Sequence, residues 1–436
     1  MRDIVDTTDL KESLLNNYSS LLAKQPETLP ELRKVKENAL SVLAANGFPT
    51  TANEEWKYTN LSGILKKEFS FLEKGTVTAQ ELEQFKFEGL EANTFVFVNG
   101  KFNKALSSII DQQDLLEVNS FSEFSAETSD YFVKKAESAI DSFSSLNLAF
   151  PEDAAFIRVP KGKSPKFPLV FYYINDRRTE AIFTQPRLTL KSEENSSVQV
   201  VEYHVSLGSK ESFTNAYSEF LLDLNSRVDY YKIQQEGEES YHVGTTDVQH
   251  LAKSTFFATT ITLDGSLIRN NINVCLKAPH VESHLYGLYL ADGKRHIDNH
   301  TLVDHAAPNC YSNELYKGVL AGKSTGVFNG KILVREDAQK TNAFQSNKNI
   351  LLSPDATMNT KPQLEIFADD VKCSHGATVG QLSEEPLFYL RSRGLSEKKA
   401  KALLTLAFAH DIIEHVKIPV LKELLKSLIE ENLNKE

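Results

Sequence analysis

Cys373 and His375 place a thiol and an imidazole two positions apart in the run Asp370-Val371-Lys372-Cys373-Ser374-His375-Gly376-Ala377-Thr378. The run reads as β-strand, where side chains alternate faces. Both groups therefore point to the same side, with Cα atoms about 7 Å apart. Such a pair suits a transition metal that accepts sulfur and nitrogen donors. Asp369 and Asp370 stand beside it. Two ligands do not complete a site, so the others must come from elsewhere in the chain or from a partner. The only other thiols are Cys275 and Cys310, with no C-x-x-C spacing. The chain alone cannot supply the four thiolates of a conventional iron–sulfur centre. Cys310 has no same-face partner and reads as a small buried hydrophobe.

Nine of the eleven histidines fall between residues 204 and 375. The densest group lies in Lys294-Arg295-His296-Ile297-Asp298-Asn299-His300-Thr301-Leu302-Val303-Asp304-His305. On a strand His296, Asp298 and His300 share a face, which suits a metal ligand set or a proton relay. His296, His300 and His305 are the second-rank candidates. The plainer reading is a ladder of polar side chains bonded to one another. His280 and His284 read as structural. The run Tyr316-Lys317-Gly318-Val319-Leu320-Ala321-Gly322-Lys323-Ser324-Thr325 ends like a phosphate-binding loop. Lys317 occupies the position of its first glycine, and the flanks are strand and strand rather than strand and helix. A turn is expected there, and no ATPase site.

These residues need elements to position them. Residues 1–150 read as an N-terminal helical and mixed α/β domain. In it a helix opens after Pro30 and stops at Gly47, and a hairpin surrounds Thr94 to Phe102. Residues 151–382 break into short alternating segments separated by Gly, Asn, Asp and Ser, with few Asn-Gly hairpin turns. That pattern is all-β and favours a solenoid, whose coils bury apolar faces only against their neighbours. Residues 383–436 return to helix, with Gly394 ending one helix, Ser396 capping a second and Pro419 opening a third. The apolar surface of these helices exceeds one face. It suits docking on the β body or reception of another protein.

The chain has 436 residues, 41% hydrophobic, and a net charge of −11, which argues against nucleic-acid and anionic-membrane partners. No run of 18 apolar residues occurs, and the first residues lack the apolar core of a signal peptide, so a cytoplasmic protein is expected.

Several runs resemble the SufB/SufD scaffold family of the SUF iron–sulfur cluster assembly machine. They are Asn53-Glu54-Glu55-Trp56-Lys57-Tyr58, His296-Ile297-Asp298-Asn299-His300-Thr301, Val303-Asp304-His305 and Tyr316-Lys317-Gly318-Val319. The longest joins Leu364 through Gly380 to Phe388-Tyr389-Leu390-Arg391-Ser392-Arg393-Gly394. The resemblance implies a right-handed parallel β-helix core between helical terminal domains. It implies a non-catalytic subunit that pairs with a SufB-like paralogous scaffold and binds a SufC-like ABC ATPase through the C-terminal helical domain. Cys373 and His375 match the positions implicated at the paired interface, where transient iron or a nascent cluster is shared with SufB. Cys373 ahead of His375-Gly376-Ala377-Thr378, where SufB has a His-Glu-Ala-Thr-like run, places the chain on the SufD side. In isolation, paired β-helix edges also suit a homodimer. Competing readings are a polysaccharide-cleaving β-helix enzyme, disfavoured by the missing export signal, a stand-alone metal-binding protein using His296, His300 and His305, and a docking scaffold with no ligand role.

Overall fold

Short β-forming segments joined at corners that need a left-handed residue dictate coiling rather than hairpins. The computed structural model describes residues 30–71, 75–120, 141–150 and 153–435, together with Leu10, Glu12 and Leu14. Leu10, Leu14, Leu15, Leu21 and Leu22 read in the sequence as the apolar stripe of a first helix, of which Leu15, Leu21 and Leu22 lie outside the described residues. The central strands are β1 (Ser197–Leu207), β2 (Ser212–Leu222), β3 (Arg227–Gln235), β4 (Ser240–His250), β5 (Thr255–Asp264), β6 (Leu267–Leu276) and β7 (Glu282–Ala291). They continue as β8 (His296–His305), β9 (Tyr311–Leu320), β10 (Thr325–Val334), β11 (Asn342–Leu351), β12 (Thr357–Ile366) and β13 (Lys372–Gly380).

Each strand pairs in parallel with the strand two further on, so odd and even strands build two separate sheets that enclose a lumen. This is the expected parallel β-helix. The sheets reach back across residue 151: Asn93–Val98 pairs in parallel with Leu169–Asp176 and turns through Asn99 and Gly100 into an antiparallel Lys101–Phe102. Corners between coils carry positive φ at Asn195, Asn225, Lys253, His280 and Asn309, from 55° to 61°. His280 is thus a corner residue, as its structural reading required.

Register fixes which side chains enter the lumen. On the even sheet the column His242, Ile268, Ile297, Gly326, Met358 points inward. On the odd sheet it is Val228, Phe256, Ser283, Ser312, Ala343, Cys373. Val198, Val200, Phe220, Val228, Tyr230, Phe256 and Val274 fill much of this core and are at most 2% exposed.

Helix α1 (Pro30–Asn46) stops at Gly47, φ 64°. At the other end, α2 (Glu384–Ser392) gives way to Gly394 at φ 94°. Ser396 Oγ then accepts the Lys399 amide to cap α3 (Glu397–Ile413), and Pro419 opens α4 (Pro419–Lys435). Ala409, Ile412, Ile413, Leu421, Leu425 and Ile429 bury against the outer face of the odd sheet, through Ile233, Ile261, Tyr286 and Leu288. Docking on the β body therefore takes up most of the apolar surface of α3 and α4.

Candidate functional site

β13 is the last strand of the odd sheet, and its outer edge pairs with no other described strand. Cys373 aligns with Ala343 and His375 with Gln345, both on the lumen-facing column. The pair thus stands at the open rim of the lumen, on one face, as strand alternation requires. Cys373 is half-buried beside Ile332, Val334 and Ala343, and His375 is exposed. Partial burial pushes the Cys373 thiol up, against a smaller opposing effect of a backbone contact at Ala343. The sulfur is thus a protonated thiol at neutral pH and becomes a strong ligand only when a metal displaces its proton.

Polar side chains continue inward from the rim. One coil below His375, Gln345 donates from Nε2 to Glu314 at 3.2 Å, and Glu314 also accepts from Thr301 Oγ1. Glu314 is 1% exposed, and burial pushes its carboxyl up to about 7. Gly330 makes this possible: a Cβ there would stand 2.3 Å from Gln345 Nε2 and 2.8 Å from Phe328 Cζ. The rim pair is therefore backed by a carboxyl that burial biases toward its neutral form.

The group His296, His300 and His305 does not form one ligand set. His296, Asp298 and His300 lie on the outer face of β8, whereas His305 points into the lumen with Ile297 and Val303 and bonds Ser312 Oγ at 2.8 Å. Five positions separate His300 from His305, an odd step that puts them on opposite sides of the sheet wall. The outer three hold the N-terminal segment. Thr59 Oγ1 meets His296 Nε2 at 2.8 Å and also bonds Asp298, and His300 Nε2 lies 3.0 Å from Asp298 Oδ1. Arg269 donates to Asp298 Oδ2 at 2.8 Å and to the Glu55 carbonyl at 2.8 Å, with its guanidinium 3.7 Å above the Trp56 ring. Asn329 donates to Glu55 Oε2 at 3.1 Å, and Lys361 pairs with Glu54. The run Glu54 to Thr59 is thus a strap across β6, β8, β10 and β12. Burial works to raise the Asp298 carboxyl, but His300, Arg269 and the Thr59 hydroxyl together outweigh it and hold the group well below its ordinary range.

Tyr316-Lys317-Gly318 is a structural joint. Tyr316 faces the lumen, and Gly318 leaves room for Tyr289, whose ring carbons would stand 2.4 Å from a Cβ there. Lys317 points outward, donates to the Phe408 carbonyl at 2.8 Å and bonds Asp411 Oδ2, fastening α3 to the sheet. Gly322 turns between β9 and β10 at φ 60°, so the phosphate-loop look-alike is the expected turn. Cys310, 1% exposed, directs its thiol to the Ala278 carbonyl at 3.3 Å and is structural. Cys275 lies on the outer face with its thiol 3.8 Å from Asp304.

Fold and site define a β-solenoid of the scaffold type, with a thiol and an imidazole side by side on its terminal strand, at the open end of the lumen. Residues 173–408 match the model of the SUF system FeS cluster assembly SufBD core domain, and residues 11–169 that of the SufBD protein N-terminal region. The chain belongs to the SufB/SufD family, and its place is in iron–sulfur cluster assembly as a SufD-like protein. It is 31% identical to the iron–sulfur cluster assembly protein SufD of Escherichia coli over 90% of this chain and 91% of that protein. A SufBD family protein of Synechocystis is 30% identical over 90% and 89% of the two chains. The chloroplastic protein ABCI7 of Arabidopsis thaliana is 28% identical over 93% and 86%. Among the described residues no helix is long and apolar enough to cross a membrane.

Proposed function

We propose that this chain is a non-catalytic scaffold subunit that contributes half of a shared assembly site for iron and a nascent iron–sulfur cluster. The observation that carries the reading is the place of Cys373 and His375: lumen-facing, on a terminal strand whose outer edge pairs with no other described strand, at the open end of the solenoid. A terminal strand with free backbone donors and acceptors invites addition of another sheet. A SufB-like paralogue seated there brings its own ligands within reach of the pair, which supplies one sulfur and one nitrogen.

The C-terminal helices suit the second partner. Phe388 is 75% exposed, Tyr389 56% and Leu403 46%, although the rest of α3 and α4 packs on the sheet. Large exposed apolar groups on an otherwise docked helical layer fit a protein partner, here a SufC-like ABC ATPase. ATP-driven closure of a SufC pair would then shift the two scaffolds against each other and change the spacing at the shared rim. Iron and sulfur are cargo in this scheme, delivered to the interface and passed on.

The test is reconstitution with both partner proteins. Cys373→Ala and His375→Ala should each leave the three-protein complex intact by size-exclusion chromatography and abolish the cluster's visible absorption. Cluster yield equal to the parent in both variants would remove the pair from the mechanism. Phe388→Asp with Tyr389→Asp should release the ATPase alone.

A further inference from the structure

Far from the rim, the lumen between β1, β3 and β4 holds five ionisable side chains. They are Glu202, His204, Lys232, Glu236 and His242, none more than 3% exposed. Burying that many ionisable groups is costly unless each is paired or bound to a metal. Most of the cluster is accounted for. Glu202 accepts from Ser218 at 2.6 Å and Tyr230 at 2.9 Å and lies 3.4 Å from His204 Nε2. Lys232 Nζ stands 3.3 Å from His242 Nε2 and feels the charges of both glutamates.

Two atoms are left over. Glu236 Oε1 and His242 Nδ1 approach to 2.7 Å, yet neither makes a hydrogen bond of acceptable angle. The other oxygen of Glu236 receives only a long contact from Thr214, 3.4 Å. His204, Glu236 and His242 each bring one ligand atom within 4.8 Å of the others, the only such group of three among the described residues. The two imidazoles meet edge to face, ring centres 4.8 Å apart. Gly244, two residues on and on the same inward face of β4, lets Lys232 and His242 come this close. A Cβ there would stand 2.7 Å from His242 Nε2 and 2.4 Å from Lys232 Nζ.

We propose that His204, Glu236 and His242 form a resident divalent transition-metal site inside the solenoid, separate from the rim pair. Two imidazoles and a carboxylate suit Zn²⁺ or Fe²⁺, with a fourth position open toward the lumen. Tetrahedral ligands stand roughly 3.3 Å apart at bond lengths near 2 Å, so loading draws the widest of the three atoms inward. Glu202 offsets the charge of Lys232 outside the ligand set. The metal would tie β1 and the end of β3, on one sheet, to β4 on the other.

The test uses the full chain carrying Cys373→Ala and His375→Ala, which silences the rim. This parent is unfolded, refolded with Co²⁺ or Zn²⁺, and desalted, since the three side chains are buried in the folded state. About one metal per chain should be retained, with tetrahedral visible bands for Co²⁺. Adding His242→Gln or Glu236→Gln should weaken retention at least about tenfold. X-ray absorption at the zinc edge of the loaded parent gives a readout that needs no variant to fold, and two imidazoles with no sulfur are expected. No retained metal, retention unchanged in both variants, or a shell lacking imidazole overturns the proposal.

Discussion

Glu314 offers a quantitative handle on the interior beneath the rim. Its carboxyl is pushed by burial from an ordinary 4.5 to about 7. Below about pH 4.5 it is protonated in both folded and unfolded chains, and it adds no pH dependence. As pH rises from there, the unfolded chain ionises while the folded one holds its proton, so stability falls until about pH 7 and then levels. At about 1.4 kcal/mol for each tenfold difference in proton affinity, the loss is roughly 3 kcal/mol. Glu314→Gln keeps the shape and removes the proton. It should flatten that segment of the curve and leave the variant more stable than the parent at pH 8 by a comparable amount. Urea unfolding followed by far-ultraviolet circular dichroism from pH 4 to 8 reads this directly. Parallel curves for the two proteins would show that Glu314 is ionised in the folded state and refute the reasoning.

Three further outcomes test the joints. Arg269→Ala leaves Asp298 buried without its guanidinium and uncovers Trp56. It should cost about 3–5 kcal/mol and red-shift the fluorescence of this sole tryptophan while the solenoid's circular dichroism persists. Lys317→Met removes charge-assisted bonds to Asp411 and the Phe408 carbonyl. It should cost about 1.5–3 kcal/mol, and hydrogen exchange should rise in α3 and α4 but not in β5 to β9. Gly330→Ala drives Gln345 from Glu314 and should destabilise by about 1–3 kcal/mol, with cluster yield in the reconstituted complex falling although no ligand is changed.

Much of the architecture is legible in the chain because local chemistry decides it. Gly47, Gly394, Ser396 and Pro419 end or begin helices where left-handed φ, capping and a missing amide hydrogen demand it. The strand reading of Cys373 and His375 follows from alternation alone. The separation of His305 from His296 and His300 was equally available, since an odd step changes face. The lumen cluster was not. Glu202-x-His204, Lys232-x-Gln234 and His242-x-Gly244 alternate as a solvent-facing strand would, and only the register turns these residues inward. The register itself is hidden by unequal coils, as the lengthening steps from His242 to Ile268, from Ile268 to Ile297 and from Gly326 to Met358 show. The role of Glu55, Trp56 and Arg269 depends on contacts across more than two hundred residues of chain, for which no local signal exists.

A solenoid whose coils touch only their neighbours unravels from its ends one coil at a time. The strap from Glu54 to Thr59 runs against that tendency. By gripping Arg269, Asp298, Asn329 and Lys361, it lies along the stack as a splint and makes four coils share one fate. The outermost of them carries Lys361 and adjoins the strand of Cys373 and His375. Fraying at the rim must first peel away the splint, so the N-terminal segment sets how rigidly the distant ligand pair is held.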